Sequence, residues 1–249
     1  MALEYQTEAI LLAARDWSAA DRVVTLFSRD YGIVTAMVYG ARKPKSKLGG
    51  GLQPLSHLSL AMVAGRGMDS VKQCEVRTSF RPIREDLTRL SYANFIAELT
   101  TGLWPERQSE PEVFDILLDI FNLLALRNPR IAALAGAWHL LVLAGFQPEY
   151  QQCLRCRRKL SFPAYFSFAD GGGVCSSCRS PGISDFEQAD RNFLEKILAL
   201  DLKQPGQFAI NAKTLVCAEI LLYGFVRHQL ERPLKSLNFI NKISGLNSE

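Results

Sequence analysis

The sequence predicts an α+β chain in which a small β-barrel is followed by a helical domain, and a cysteine-bearing ribbon interrupts the helices. Three observations carry this. Five short β-branched runs separated by turn residues fill residues 5–80. Beyond them, apolar residues recur at helical spacing almost to the end of the chain. Between two of the helical stretches stand two Cys-x-x-Cys pairs, Cys153 with Cys156 and Cys175 with Cys178, eighteen residues apart. The expected divisions are residues 1–80 for the barrel and 81–249 for the helical domain, with the ribbon at about 150–182.

The five runs are EAILLAA, DRVVTLFS, GIVTAMVYG, LSHLSLAMV and SVKQCEVRT. After the third comes ARKPKSKLGGGLQP, whose charges and glycines predict a loop or a short helix. A five-stranded barrel with an insertion after its third strand has the layout of an OB-fold, which commonly binds single-stranded nucleic acid.

The helical domain opens with REDLTRLSYANFIAELTTGL. Ser109, Pro111 and Glu112 predict a capping box ahead of PEVFDILLDIFNLLAL, and Asn128 with Pro129 starts another helix that should end near Gly145. The apolar stretch 131–146 is broken by Gly136 and His139 and falls short of the ~20 residues of a membrane helix, so it reads as a core helix. Beyond the ribbon, Ser184 and Glu187 predict a second capping box, and Asn211 caps a run to about Leu230, which Pro233 stops.

Four thiolate ligands at this spacing can close a tetrahedral zinc site. With no histidine or carboxylate among Cys153, Cys156, Cys175 and Cys178, the expected ion is one structural Zn2+ per chain. The remaining cysteines, Cys74 and Cys217, lie in apolar surroundings and read as core residues. The opening MALEYQTEAI lacks a basic region followed by an apolar core, so a cytoplasmic protein is expected.

Charge is uneven. Residues 1–84 hold 12 Lys/Arg against 7 Asp/Glu, and the rest 17 against 18, so the barrel should face an acidic partner such as a phosphate backbone. Arg42, Lys43, Lys45 and Lys47 give four cations in six residues, between Gly40 and the run Gly49–Gly51, which can bring the backbone close to phosphates. Arg15, Arg29, Arg66 and Lys72 fall at expected strand ends and extend the candidate DNA surface, with Tyr31 and Tyr39 as candidate stacking residues. Arg155, Arg157, Arg158, Lys159 and Arg179 surround the knuckles and read as ordinary surface charge. There is no phosphate-binding G-x-x-x-x-G-K-[ST] loop, and His57, His139 and His228 form no metal or acid–base constellation. A binding protein, not an enzyme, is therefore expected.

These residues resemble the RecO family of bacterial recombination mediators and DNA repair proteins. The likeness runs through YQTEAILLAARDWSAADRVVTLFSRDYGIVTAMVYGARKPKS with LQP shortly after, LAGFQPEYQQCLRC, and the closing HQLERPLKSLNFI. It implies an OB domain, a helical domain and a zinc ribbon. It also implies binding of single- and double-stranded DNA, annealing of complementary strands, and cooperation with RecR to load RecA onto DNA coated by single-stranded DNA-binding protein. The coating protein's acidic tail would be recognised by the helical domain. Two departures stand out. The helix before the first knuckle, LAGAWHLLVLAGF, lacks the family's charged pattern, leaving Arg127 or Arg130 as the cation for that tail. Arg157 replaces the glycine of the usual CxxCG. The alternative is a zinc-stabilised OB-fold RNA-binding protein; a nuclease or deaminase is disfavoured by the missing acidic and His/Glu clusters.

Overall fold

The computed structural model describes residues 3–206, 210–230 and 233–244. Glu231 and Arg232 of the closing signature and the last five residues of the expected helical domain lie outside the described residues.

Five strands close a barrel in the order β1-β2-β3-β5-β4. They are β1 (Glu4–Asp16), β2 (Arg22–Ser28), β3 (Gly32–Val38), β4 (His57–Val63) and β5 (Asp69–Thr78), with a short helix α1 (Lys47–Gly51) between β3 and β4. All pairings are antiparallel except β3 with β5, where Ala36 lies opposite Asp69. This is the expected OB layout, with β1 running farther at both ends than its apolar run suggested. The length lets β1 pair with β4 through Glu4 to Ile10 and with β2 through Ala9 to Asp16.

The unbroken apolar run of β1 has a structural cause. Ala9 and Leu11 fill the barrel interior with Val24, Leu26, Val34, Ala36, Leu58 and Leu60. Ile10 and Leu12 point the other way, into the core of the helical domain. A strand buried on both faces loses its polar alternation. Ala41 and Leu52, on either side of α1, belong to the barrel interior, so the insertion plugs one end of the barrel.

The helical domain comprises α2 (Arg81–Arg84), α3 (Leu87–Leu103), α4 (Pro111–Leu126), α5 (Pro129–Leu143), α6 (Gln188–Leu198), α7 (Ala212–Gln229) and α8 (Lys235–Ser244). The central helix α5 is buried from Ala132 to Trp138, which accounts for the apolar stretch read as a core helix. Asn128 caps α5 by accepting from the Arg130 and Ile131 N–H groups, and Asn211 caps α7 by accepting from Thr214 N–H. Among the described residues, no helix is long and apolar enough to cross a membrane.

Two expected caps are displaced. Helix α4 begins at Pro111 with Glu110 as its N-cap, one residue past Ser109, whose hydroxyl instead donates to Arg29 O of the barrel at 3.2 Å. The ribbon sheet takes up Ser184, so the capping box before α6 is formed by Glu187 and Asp190.

Barrel and helices are fastened through the segment between α3 and α4. Arg107 N–H donates to Ile33 O at 3.0 Å, Thr35 donates to Glu106 at 2.9 Å, and the Arg107 guanidinium meets the buried Asp69 carboxylate at 2.9 Å. Burial alone would raise the Asp69 carboxyl. Arg107, the Tyr5 hydroxyl and Gly65 N–H outweigh it and hold Asp69 below the usual carboxylate range. Gly32 makes the close approach possible: it sits at φ +63°, and a Cβ there would lie 1.8 Å from Gln108 O.

Candidate metal centre and nucleic-acid interface

The ribbon is a three-stranded sheet of order β7-β6-β8, from β6 (Ala164–Ser167), β7 (Gly172–Cys175) and β8 (Ser184–Phe186). The first knuckle turns at Cys153 to Cys156 and is lashed to β7 by Leu154 N–H donating to Gly173 O at 3.0 Å. The second forms where β7 ends at Cys175 and a 3-10 turn, Ser176–Cys178, follows.

The sulfurs of Cys153, Cys156, Cys175 and Cys178 all lie within 4.8 Å of one another, and Cys156 Sγ is 3.8 Å from Cys175 Sγ. Sulfurs at the corners of a tetrahedron with zinc–sulfur bonds of about 2.3 Å would be about 3.8 Å apart, so the cluster has the dimensions of a four-thiolate metal site. Burial works to raise the Cys153 thiol. The N–H groups of Cys175, Cys156 and Arg155 overcome it and bring the thiol down to about 6. The sulfurs of Cys175 and Cys156 push Cys178 up to about 12, as crowded thiols do.

Arg157 adopts φ +61°, the left-handed turn that a glycine takes without strain, and its N–H donates to Cys153 O at 2.8 Å. The substitution therefore keeps the knuckle turn. Arg155, assigned to surface charge from the sequence, joins the two knuckles instead, donating to Cys178 O at 2.7 Å and to Ser180 and Asp170. Arg179 lies over the Tyr165 ring at 4.1 Å.

On the barrel, Arg42, Lys43, Lys45 and Lys47 are all exposed on the segment that leads from β3 into α1. The segment is tied to the β1–β2 hairpin. Arg42 N–H donates to Ala20 O at 3.0 Å, its guanidinium donates to Ser18 O at 2.7 Å and lies 3.4 Å from the Asp16 carboxylate, and Gly40 N–H donates to Asp21 at 2.8 Å. Arg42 thus acts partly as an anchor, while Lys43, Lys45 and Lys47 point to solvent. The glycines do different work from that expected. Gly40 spends its N–H on Asp21, and Gly49–Gly51 lie in α1, where a Cβ at Gly49 would stand 2.0 Å from Ala41 O.

The additional cations do not gather into one patch with this loop. Arg15 is exposed near the end of β1, beside the loop's anchor. Arg29 is turned to the helical domain, with its guanidinium 2.9 Å from Asp115 and 5.4 Å from the Phe114 ring centre, so it is a junction residue. Lys72, inside β5, pairs with Glu4 on β1. Arg66 is exposed in the β4–β5 loop. Tyr31 packs on Tyr5 at 4.5 Å between ring centres, whereas Tyr39 is 66% exposed at the end of β3. Sequence reasoning passed over Trp17 in the hairpin; its signal was a tryptophan in a polar turn, WSAAD.

Arg130 is unavailable as a cation for an acidic tail. Its guanidinium grips the fully buried Glu219 of α7 through two hydrogen bonds, at 2.9 and 2.6 Å, and Tyr92 donates to the same carboxylate at 3.1 Å. Arg127 is exposed at the α4–α5 corner, next to the exposed Leu126.

Comparison with known proteins covers nearly the whole chain. A model of the Recombination protein O N-terminal domain matches residues 1–80, and one of the Recombination protein O C-terminal domain matches residues 84–238. The DNA repair protein RecO of Pelotomaculum thermopropionicum is 33% identical over 240 residues, covering 96% of this chain and 94% of that protein. The DNA repair protein RecO of Desulforudis audaxviator is 34% identical over 247 residues, covering 98% and 99%. That of Moorella thermoacetica is 29% identical over 255 residues, covering 98% and 92%. With both domain models matched in order and relatives aligned almost end to end, the chain belongs to the RecO family of DNA repair proteins.

Proposed function

We propose that this chain is a non-catalytic recombination mediator. It binds single- and double-stranded DNA through the barrel, anneals complementary strands and, with RecR, helps load RecA onto DNA coated by single-stranded DNA-binding protein. The observation that carries the reading is the anchored basic loop on a closed OB barrel. Arg42 pins the segment to the β1–β2 hairpin, and Lys43, Lys45 and Lys47 are held out to solvent beside it. Exposed lysines on an anchored backbone neutralise phosphates without the segment itself having to be ordered on binding. Neutralising both strands lowers the repulsion that opposes annealing.

The two units act in different ways under this proposal. Residues 1–80 handle DNA; residues 81–249 hold the tail of the coating protein, with Arg127 as the cation for its terminal carboxylate, and raise the local concentration of mediator on coated strands. Cys153, Cys156, Cys175 and Cys178 would hold one Zn2+ that supplies a fixed centre for the ribbon and no chemistry. Work on chromosomal DNA would put the protein in the cytoplasm at the nucleoid.

The loop is tested by Lys43→Glu/Lys45→Glu. Single-strand affinity, measured by anisotropy over a salt series, is expected to fall, and the slope of log affinity against log salt to become shallower by about 1.4, at about 0.7 per phosphate contact. Unaltered affinity and slope would remove the loop from the DNA surface.

A further inference from the structure

The three tryptophans of the chain lie in contrasting settings. Trp138 is fully buried and Trp104 is 8% exposed, whereas Trp17, in the β1–β2 hairpin, is 54% exposed. Isolated apolar side chains are common on protein surfaces. Trp17 differs in how it is held and in what surrounds it. Its backbone N–H donates to Asp21 O at 3.0 Å, and the Ser18 hydroxyl donates to the Asp21 carboxylate at 2.9 Å while accepting from the Ala20 and Asp21 backbone N–H groups. The hairpin turn is therefore fixed before any ligand arrives. The neighbouring carbonyl, Ser18 O, receives the Arg42 guanidinium, and the Arg15 guanidinium stands 5.0 Å from the centre of the indole. A fixed turn thus presents an exposed indole, with Arg15 over its ring, at the root of the basic loop.

We propose that Trp17 is a stacking platform for an unpaired nucleobase, so that hairpin and loop form one subsite for single-stranded DNA. The inference rests on the DNA-binding reading of the loop and adds a source of discrimination to it. Phosphates are common to single strands and duplexes, so Lys43, Lys45 and Lys47 serve both forms. The face of a base is different: a duplex buries it in the stack, and a single strand exposes it. An exposed aromatic among cations adds affinity only for the strand whose bases are free. Trp17 accordingly biases the barrel toward single-stranded DNA, and pre-formation of the turn keeps the ordering cost of that contact low.

The test uses the whole chain and its own fluorescence. Because Trp104 and Trp138 are shielded, a thymidine oligonucleotide stacking on Trp17 should quench emission as it binds, and a duplex of the same length should not. Trp17→Phe is expected to abolish the quenching while retaining most of the binding, since a phenyl ring still stacks. Trp17→Ala is expected to weaken single-strand binding about tenfold and duplex binding by less than about twofold. Its melting temperature serves as the control for folding. Unquenched emission at saturating single strand, or equal weakening of both forms by Trp17→Ala, would overturn the proposal. Lys43→Glu/Lys45→Glu separates this failure from that of the loop. If the lysine variant weakens both forms while Trp17→Ala weakens neither, only the stacking is lost; if neither variant weakens either form, loop and platform fall together.

Discussion

The parent chain is expected to bind one zinc, and a Cys153→Ser variant to bind none and to melt at least about 10 °C below it, with a strong chelator lowering the parent's melting temperature likewise. The ribbon sheet has strands of four, four and three residues, too short to be stable unaided. Four thiolates converging on one ion would supply the missing cross-links, and binding free energy at such sites is folding free energy. The effect should not stop at the ribbon. Phe166 of β6 packs on Phe225 of α7 at 6.2 Å between ring centres, Phe225 lies 5.1 Å from Trp138 of α5, and Phe168 stacks on His228 at 6.1 Å. A ribbon that opens therefore uncovers α7 and the centre of the helical domain. Zinc content by atomic absorption, read beside calorimetric melting, checks both halves. A metal-free variant as stable as the parent would mean the ribbon holds itself together without the ion.

Arg130→Met is expected to destabilise the helical domain by about 3 kcal/mol, because among the described residues it leaves the buried carboxylate of Glu219 with only the Tyr92 hydroxyl to satisfy it. For a unit of this size the melting temperature should fall by about 6–12 °C. Arg130 is one-third exposed, which places the expected cost at the lower end for breaking a buried pair. The double variant Arg130→Met/Glu219→Leu separates charge from packing. With both charges gone nothing is left unpaired, and stability should return to within about 1 kcal/mol of the parent. Denaturant unfolding of the two variants and the parent measures this directly. A double variant no more stable than Arg130→Met alone would mean that the loss comes from the shape of the arginine and not from the orphaned carboxylate.

What could be read in the sequence was whatever depends on neighbours along the chain. The five strands were legible because each apolar run is bounded by turn residues, even though β1 is buried on both faces and so shows no alternation. The four cysteines were legible because knuckle spacing is a local property. The misplaced caps have causes that the pattern does not carry: Ser109 and Ser184 both satisfy a capping pattern, but one donates to the barrel at Arg29 O, 80 residues away, and the other lies in a three-residue strand too short to leave a periodic signal. Charge was the least legible feature. Arg29, Lys72, Arg130 and Arg155 looked like free cations, and each has a partner 15 to 89 residues away along the chain. Arg42 belongs with them in part, since its hold on Ser18 and Asp16 depends on a contact between loop and hairpin that no spacing announces. Trp17 went unnoticed because one aromatic in a turn makes no pattern; its meaning comes from Arg15 and Arg42 nearby.

The most direct measurement of the account is annealing of two complementary DNA strands, each precoated with single-stranded DNA-binding protein, followed across a salt series with the parent chain and with Lys43→Glu/Lys45→Glu. Acceleration by the parent is expected to fade as salt rises. It should be lost in the lysine variant, and lost when the acidic tail of the coating protein is removed. No acceleration at low salt, with both proteins folded, would contradict the mediator reading.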